Sequence, residues 1–119
     1  MLKYTEEHEW LQQDGDEVVV GITAHASEQL GDVVFVELPE VGREVEKGEE
    51  IVVIESVKAA SDIVAPIAGV ITAVNEDLPD NPGAVNDDAM KAWFFRIKPA
   101  AGESIDGFMD EAAYNALSG

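Results

Sequence analysis

Two short apolar stretches, separated by eight residues, constrain the fold of this chain more than any other feature. Residues 51–54 and 63–67 are rich in β-branched side chains and have the length of strands, a pattern typical of paired β-strands. The intervening residues, Glu55 to Asp62, are therefore predicted to form the tip of a hairpin. Lys58 lies within this tip beside Ala59 and Ala60. Most lysines at loop tips are only solvated charges, so exposure alone does not assign a function.

The rest of the chain also has β character, with frequent turn signals. Strands are predicted at 18–22, 33–38, 51–55, 63–65, 69–74 and 93–97. Between the first two, Thr23 is a candidate N-cap for a short helix that runs through Leu30 and ends at Gly31. The cluster from Pro79 to Gly83 is predicted to be a loop.

The last twenty residues change pattern. After Pro99, apolar residues at 108, 109, 112, 113, 116 and 117 are spaced as one face of short helices, with Asp110 as N-cap of the last one. Strands of this number and length normally form a sandwich or flattened barrel. We therefore predict a mainly β protein with one domain, residues 1–119, in which residues 99–119 form a helical extension packed on the sheets.

The charge and the lack of cysteine exclude several functions. The chain has 25 acidic and 7 basic residues, a net charge of −18, which disfavours nucleic acid and anionic membranes as partners. It lacks the run of about eighteen apolar residues that a membrane span requires. Without cysteine, disulfides and thiolate catalysis are excluded. Together with an acidic amino terminus unlike a signal peptide, this favours the cytoplasm. The acidic surface either only keeps the protein solvated or steers it toward partners with basic rims.

No residue set in the sequence has the pattern of an active centre. His8 and His25 lack the spacing of metal ligands, and the serines lack the context of a catalytic nucleophile. An enzyme needs a nucleophile, a base and a stabilising site in one cavity. We therefore predict a carrier, which needs only an attachment point and a recognisable surface.

The residues around Lys58 point to a specific family. The run Glu55-Ser56-Val57-Lys58-Ala59-Ala60-Ser61-Asp62 resembles the lipoyl-lysine turn of the glycine cleavage system H-protein family. Further segments resemble that family in order and spacing, at residues 4–10, 21–39, 47–49, 65–69, 74–76, 93 and 97–99. Another kind of lipoyl or biotinyl domain would share the hairpin but lack the amino-terminal segment and the last helices.

This resemblance implies a fold, a cofactor and a set of partners. The fold would be a barrel-sandwich hybrid of the lipoyl/biotinyl type, with short helices that include carboxyl-terminal ones. Lipoate would be attached to Lys58 in amide linkage by lipoate-attaching enzymes. These enzymes would recognise the turn residues Glu55, Ser56, Val57, Ala59, Ser61 and Asp62. We expect Ser56 and Ser61 to shape the turn by side-chain hydrogen bonds to the backbone.

The implied function is a shuttle. The lipoyl arm would accept an aminomethyl group from glycine decarboxylase, a pyridoxal-phosphate enzyme. It would deliver this group to the tetrahydrofolate-dependent aminomethyltransferase, and dihydrolipoyl dehydrogenase would then reoxidise it with NAD. A monomer is expected, since the lysine face must reach several enzymes.

The cargo of such an arm hydrolyses in water, so the resemblance also implies a surface cleft that shelters it. Glu9 is the candidate polar residue of this cleft, because a carboxylate can pair with an ammonium group. The alternative for Glu9 is an ordinary surface acid that precedes a buried Trp10.

Three other functions remain open from the sequence. The chain could be a lipoyl carrier for a 2-oxoacid dehydrogenase, although it lacks the flexible linker and catalytic domain expected there. It could also relay lipoyl or octanoyl groups from Lys58 to other proteins. The third alternative is an interaction domain whose Lys58 stays unmodified.

Overall fold

The computed structural model describes residues 2–118, so Met1 and Gly119, the ends of the predicted domain, lie outside the described residues. The strands are β1 (Leu2–Tyr4), β2 (Glu9–Asp14), β3 (Glu17–Ile22), β4 (Val33–Glu37), β5 (Glu44–Val45), β6 (Glu50–Ser56), β7 (Ala60–Val64), β8 (Gly69–Val74) and β9 (Phe95–Pro99). The helices are α1 (Ala24–Leu30), α2 (Asp77–Asp80), α3 (Ala84–Asp87) and α4 (Glu111–Ser118). None of these helices has the length and apolar character needed to cross a membrane.

The strands form two antiparallel sheets that pack on a common core. The larger sheet has the order β1-β2-β3-β9-β8-β5, and the smaller one has the order β4-β6-β7. Leu11 and Phe95 from the larger sheet and Ile54 from the smaller one are almost completely buried in the same apolar cluster. The predicted mainly β class is confirmed. The sheets face each other as a sandwich and do not close into one barrel.

Helix α1 connects the two sheets and has the caps that the sequence predicts. The Thr23 hydroxyl accepts a hydrogen bond from the Ala26 N–H at 3.2 Å, which satisfies one of the free donors of the first turn. Gly31 follows the helix with φ 77° and donates its N–H to the Ser27 carbonyl. Both predicted ends of the helix are therefore confirmed.

Two local predictions were wrong. Strand β9 begins at Phe95 and not at Trp93, because the Asn75 side chain donates to the Trp93 carbonyl at 3.0 Å and keeps this residue outside the ladder. Pro79 belongs to the short helix α2 and not to a loop. A proline is tolerated in the first turn of a helix, where its missing N–H has no partner in any case.

The carboxyl-terminal region contains one helix, α4, and residues 100–110 form turns and bends. Asp110 caps α4 as predicted, since its carboxylate accepts from the Ala113 N–H at 2.8 Å. The predicted apolar face was wrong: Met109 precedes the helix and pairs with Tyr4, and the alanines and Leu117 are exposed. Tyr114 is the buried residue of α4. Its ring stacks on Tyr4 with centroids 4.7 Å apart, and it buries far more apolar surface than an alanine can.

Candidate functional site

The Lys58 hairpin is present, but its turn is shorter than the sequence indicates. Strand pairing continues to Glu55 opposite Ala60, so only residues 57–59 lie outside the strands. Glu55 and Ser56 therefore end β6, and Ser61 and Asp62 belong to β7. Lys58 is exposed in the middle of a three-residue turn, held between two paired strands.

Ser56 fixes the shape of this turn. Its hydroxyl accepts from the N–H groups of Lys58 at 3.2 Å and Ala59 at 3.1 Å, and it lies 3.1 Å from the Ala59 carbonyl, to which it donates. One hydroxyl thus uses both its donor and its acceptor capacity. The predicted role of Ser56 is confirmed. Within residues 2–118 the Ser61 hydroxyl makes no such bond, so the same prediction for Ser61 was wrong.

The side chain of Lys58 lies over the end of α1. A Cβ atom placed on Gly31 would be 3.0 Å from Lys58 Cε and 3.5 Å from Nζ. Gly31 also has a positive φ that other residues rarely adopt. The glycine therefore both ends the helix and leaves room for the lysine stem. The Val57 N–H donates to the Asp32 carbonyl at 3.0 Å, which ties the turn to the same segment.

Asn86 supports this segment from the other side. Its amide donates to the Gly31 carbonyl at 2.7 Å and accepts from the Val33 N–H at 2.8 Å. Sequence reasoning missed Asn86, because this contact spans more than fifty positions and an isolated asparagine in a polar stretch gives no signal.

A cavity of about 220 Å³ lies between the two sheets and α1. Its wall includes Leu30, the last residue of α1, and the lysine stem lies over Gly31, the next residue, so both border the end of the same helix. The cavity brings together three predicted site residues, Glu9, Ser61 and Asp62, whereas Glu55, Val57 and Lys58 are not part of its wall. The other lining residues are Glu7, His8, Ile22, Ala26, Gln29, Ile54, Ile63 and Val64.

A larger depression of about 740 Å³ lies between β5, β8 and the end of β9. It is an open groove and contains none of the predicted site residues. The larger volume does not make this groove the better candidate site, because Glu9, Ser61 and Asp62, which the sequence predicts as site residues, line the smaller cavity.

Glu9 is the unusual titratable group of this cavity. Its residue is 2% exposed, so the surface-acid alternative was wrong. One carboxylate oxygen accepts from the Thr5 hydroxyl at 3.3 Å, and Oε2 has no partner within the described residues. Burial, followed by the charge of Glu7, raises the pKa of Glu9 to about 8, although the Thr5 hydroxyl and the Val64 N–H oppose the shift. At neutral pH Glu9 is therefore mostly protonated, with one oxygen free for a ligand.

His8 lines the same cavity and has a backbone φ of 65°. Its Nδ1 lies 2.7 Å from the Tyr114 hydroxyl, which lies 2.7 Å from the Thr23 hydroxyl. Burial and the nearby His25 lower the pKa of His8, which favours the neutral ring, although the charge of Glu7 opposes this shift. Helix α4 thereby joins His8, the residue before β2, to Thr23, the N-cap of α1. The described residues contain no group of three or more possible metal-ligating side chains.

Sequence reasoning missed Tyr114, although one signal was available. It is the one aromatic residue of α4, and aromatic side chains dominate burial more than alanines do.

Replacing Tyr114 with phenylalanine tests the hydrogen bonds by which the Tyr114 hydroxyl joins His8 to Thr23. The change keeps the stacking on Tyr4 but leaves two hydrogen-bond partners, His8 and Thr23, without the hydroxyl. We expect the free energy of unfolding to fall by about 1–2 kcal/mol, as measured by denaturant-induced unfolding. Asn115→Ala, on the exposed face of the same helix, is the control. If the two variants had equal free energies of unfolding, the two hydrogen bonds of the Tyr114 hydroxyl would not stabilise the fold.

Comparisons with known proteins show the family of this chain. A family model described as Glycine cleavage H-protein matches residues 2–118. The glycine cleavage system H protein of Ralstonia nicotianae is 50% identical over 119 residues, which cover 99% of this chain and 94% of the relative. That of Thiobacillus denitrificans is 54% identical over 117 residues, covering 98% and 91%. A crystal structure of a glycine cleavage system H protein from Mycobacterium marinum superposes with a TM-score of 0.86 at 38% identity, covering 97% of this chain and 94% of that one. The chain therefore belongs to the glycine cleavage H-protein family, as the resemblance predicted.

Proposed function

We propose that this protein is the lipoyl-carrying shuttle of a glycine cleavage system, with lipoate in amide linkage to Lys58. It receives an aminomethyl group from glycine decarboxylase and delivers it to the tetrahydrofolate-dependent aminomethyltransferase. Dihydrolipoyl dehydrogenase then reoxidises the arm. The protein is a carrier and not an enzyme. The observation that carries this proposal is an exposed lysine over the end of α1, the helix that also borders a cavity with a buried acid, one of whose oxygens has no partner among residues 2–118.

The residues of the cavity fit the arm and its cargo. Ile22, Leu30 and Ile54 provide apolar walls for an aliphatic chain, and Glu9 offers an amine its Oε2, which has no partner among residues 2–118. When bound, the lipoyl group supplies a pair of sulfurs that cycles between disulfide and dithiol, in a chain that has no cysteine of its own.

Glu9 would bind the amine by releasing a proton. With no amine beside it, its carboxyl group is mostly protonated at pH 7, because its pKa is about 8. An ammonium group next to Oε2 favours the carboxylate, since an opposite charge nearby lowers the pKa of an acid. The proton leaves to solvent, and a charge-assisted hydrogen bond forms in its place. Burial of this pair excludes water from the cargo and slows its hydrolysis.

The surroundings of the site also suit a mobile carrier. We expect a monomer, because Lys58 must be accessible in turn to the lipoate-attaching enzyme and to three partner enzymes, and a chain without cysteine suits the cytoplasm. A lipoate relay would use the same lysine and is compatible with this role. The chain is similar to glycine cleavage H proteins over nearly its whole length, which favours this function over that of a carrier for a 2-oxoacid dehydrogenase.

The proposal is tested by the intact mass of the protein from cells supplied with lipoate, with fragment sequencing across the hairpin. We expect one lipoyl adduct, located on Lys58, that is absent from Lys58→Arg and retained by Lys91→Arg, an exposed lysine outside the hairpin. The modified protein should then acquire an aminomethyl group from glycine decarboxylase and glycine. If Lys58 stays free while a known lipoyl domain is modified in the same cells, the chain is an unmodified interaction domain instead.

A further inference from the structure

Two consecutive apolar side chains on β4 face solvent. Val34 and Phe35 are 56% and 42% exposed, although successive side chains of a regular strand point to opposite faces. The cause is a β-bulge: Val33 pairs with Ser56 and Phe35 with Glu55, which leaves Val34 as an extra residue. The buried Val33 and Val36 on either side keep the strand attached to the core.

The end of β4 that carries these side chains lies beside the hairpin tip. Val57, beside Lys58, is 68% exposed, and its N–H is bonded to the Asp32 carbonyl at the start of β4. We call Val34, Phe35 and Val57 the apolar patch. It continues from Phe35 into a shallow groove of about 450 Å³ between β4 and α2, lined in part by Leu38 and Val74. Contiguous exposed apolar surface of this kind typically marks an interaction site.

Acidic side chains border the patch. Asp32 precedes β4, Glu37 ends it, and Glu55 pairs with Phe35 on the neighbouring strand; all three are exposed. A partner face complementary to this patch has an apolar centre and a basic rim. Attraction between such faces increases the association rate and weakens as salt rises.

The short reach of the lysine indicates which partner covers the patch. An unmodified lysine presents its amine at the end of a four-carbon stem, and this stem lies against Gly31, next to Asp32. An enzyme that acts on Nζ itself must therefore contact the turn and the start of β4. Enzymes that act on the far end of an attached lipoyl arm have a longer tether and can dock elsewhere.

We propose that the apolar patch, with its acidic border, is the docking surface for the enzyme that attaches the lipoyl group to Lys58. This inference rests on the proposed function. Attachment joins Nζ to the carboxyl carbon of an activated lipoyl group, such as the acyl adenylate made from lipoate and ATP. The amine loses one proton and AMP leaves. Phe35 supplies the largest apolar contact, and the bulge that exposes Val34 widens the patch beside the turn.

The test is the rate of attachment to the full chain by a lipoate–protein ligase supplied with lipoate and ATP, followed by intact mass. Phe35→Ser and, separately, Val34→Ser should raise the KM for the protein about tenfold, a typical effect for a central apolar contact, with a smaller change in kcat. Val41→Ser is the matched control, because Val41 is 59% exposed but lies in the loop beyond the other end of β4. The double variant Asp32→Asn, Glu55→Gln should show a KM that depends less on salt than that of the wild type.

These measurements distinguish a failure of the docking surface from a failure of the proposed function. If Phe35→Ser and Val34→Ser both fold and both keep the KM of the wild type, the docking surface is overturned while the carrier function stays intact. An equal rise in KM for Val41→Ser would also overturn it, since general loss of apolar surface would then be the cause. A wild-type protein that never acquires a lipoyl group would overturn the proposed function, and this inference with it.

Discussion

Glu9→Gln is expected to raise the free energy of unfolding by roughly 4 kcal/mol at pH 8 and to leave it nearly unchanged at pH 4.5. The carboxyl group titrates at 4.5 when exposed and at about 8 in the folded protein. As pH rises between these values, the unfolded chain loses the proton while the folded chain retains it. The wild type therefore loses stability across this window: the contribution of the raised pKa is fully present below 4.5, where the group is protonated in both states, and it is lost as pH rises through about 8.

The measurement is denaturant-induced unfolding of both proteins, without lipoate, at several pH values from 4.5 to 8.5. The chain carries 25 acidic residues, and their titration also changes stability with pH. Those other groups are common to both proteins, so the difference between the two curves isolates Glu9. A difference that does not change with pH would mean that Glu9 is ionised in the folded state.

The same substitution separates stability from function. Glutamine keeps the size of the neutral acid, but it has no proton to release and offers an ammonium group no negative charge. The loaded arm of Glu9→Gln should therefore lose its aminomethyl cargo to hydrolysis faster than the wild type. Glu6→Gln is the control, because Glu6 is exposed and is not part of the wall of this cavity. An unchanged lifetime in Glu9→Gln would exclude Glu9 from the sheltering of the cargo. A variant that is more stable yet a worse carrier is the signature of a buried acid retained for its function.

The sequence predicted the features that depend on neighbouring residues. Thr23, Gly31 and Asp110 were assigned as helix caps because a cap bonds to residues within one turn of it. The Lys58 hairpin was predicted because both of its strands are adjacent in the chain. Its turn was predicted too long because Ser61 and Asp62 are polar, and polar residues on an exposed strand resemble a loop.

The features that the sequence did not predict depend on distant residues. Glu9 was named as a cleft residue from the family resemblance, but its burial follows from the packing of the smaller sheet and α1 against the start of β2. Tyr114 lies 106 positions from its partner His8. No local pattern reports such a contact. The cavity itself is a gap between two sheets and one helix, and it exists only once these elements have packed.

Gly21→Ala is expected to lower the free energy of unfolding by about 3 kcal/mol or more, at the upper end for an overpacked core. A Cβ at this position would lie 2.5 Å from Cε2 and Cζ2 of Trp10, the cross-strand partner of Gly21. The indole is 3% exposed, and its N–H donates to the Ala89 carbonyl at 3.1 Å. It cannot move aside without breaking this bond and disturbing the core. Gly107→Ala is the control, because a Cβ there meets no heavy atom within 4 Å and φ is not positive; its stability should change by less than about 0.5 kcal/mol.

This substitution also tests whether the larger sheet sets the protonation of Glu9. Glu9 adjoins Trp10 on β2 and pairs with Ile22, the neighbour of Gly21 on β3. A shift of the indole would move this part of β2 and admit water to the carboxyl group. Since burial is the main cause of its raised pKa, the pKa should fall toward 4.5, and the stability of Gly21→Ala should depend less on pH than that of the wild type. If Gly21→Ala is destabilised but keeps the full pH dependence, the environment of Glu9 is set by α1 and the smaller sheet, and the tight packing at Gly21 serves only the stability of the core.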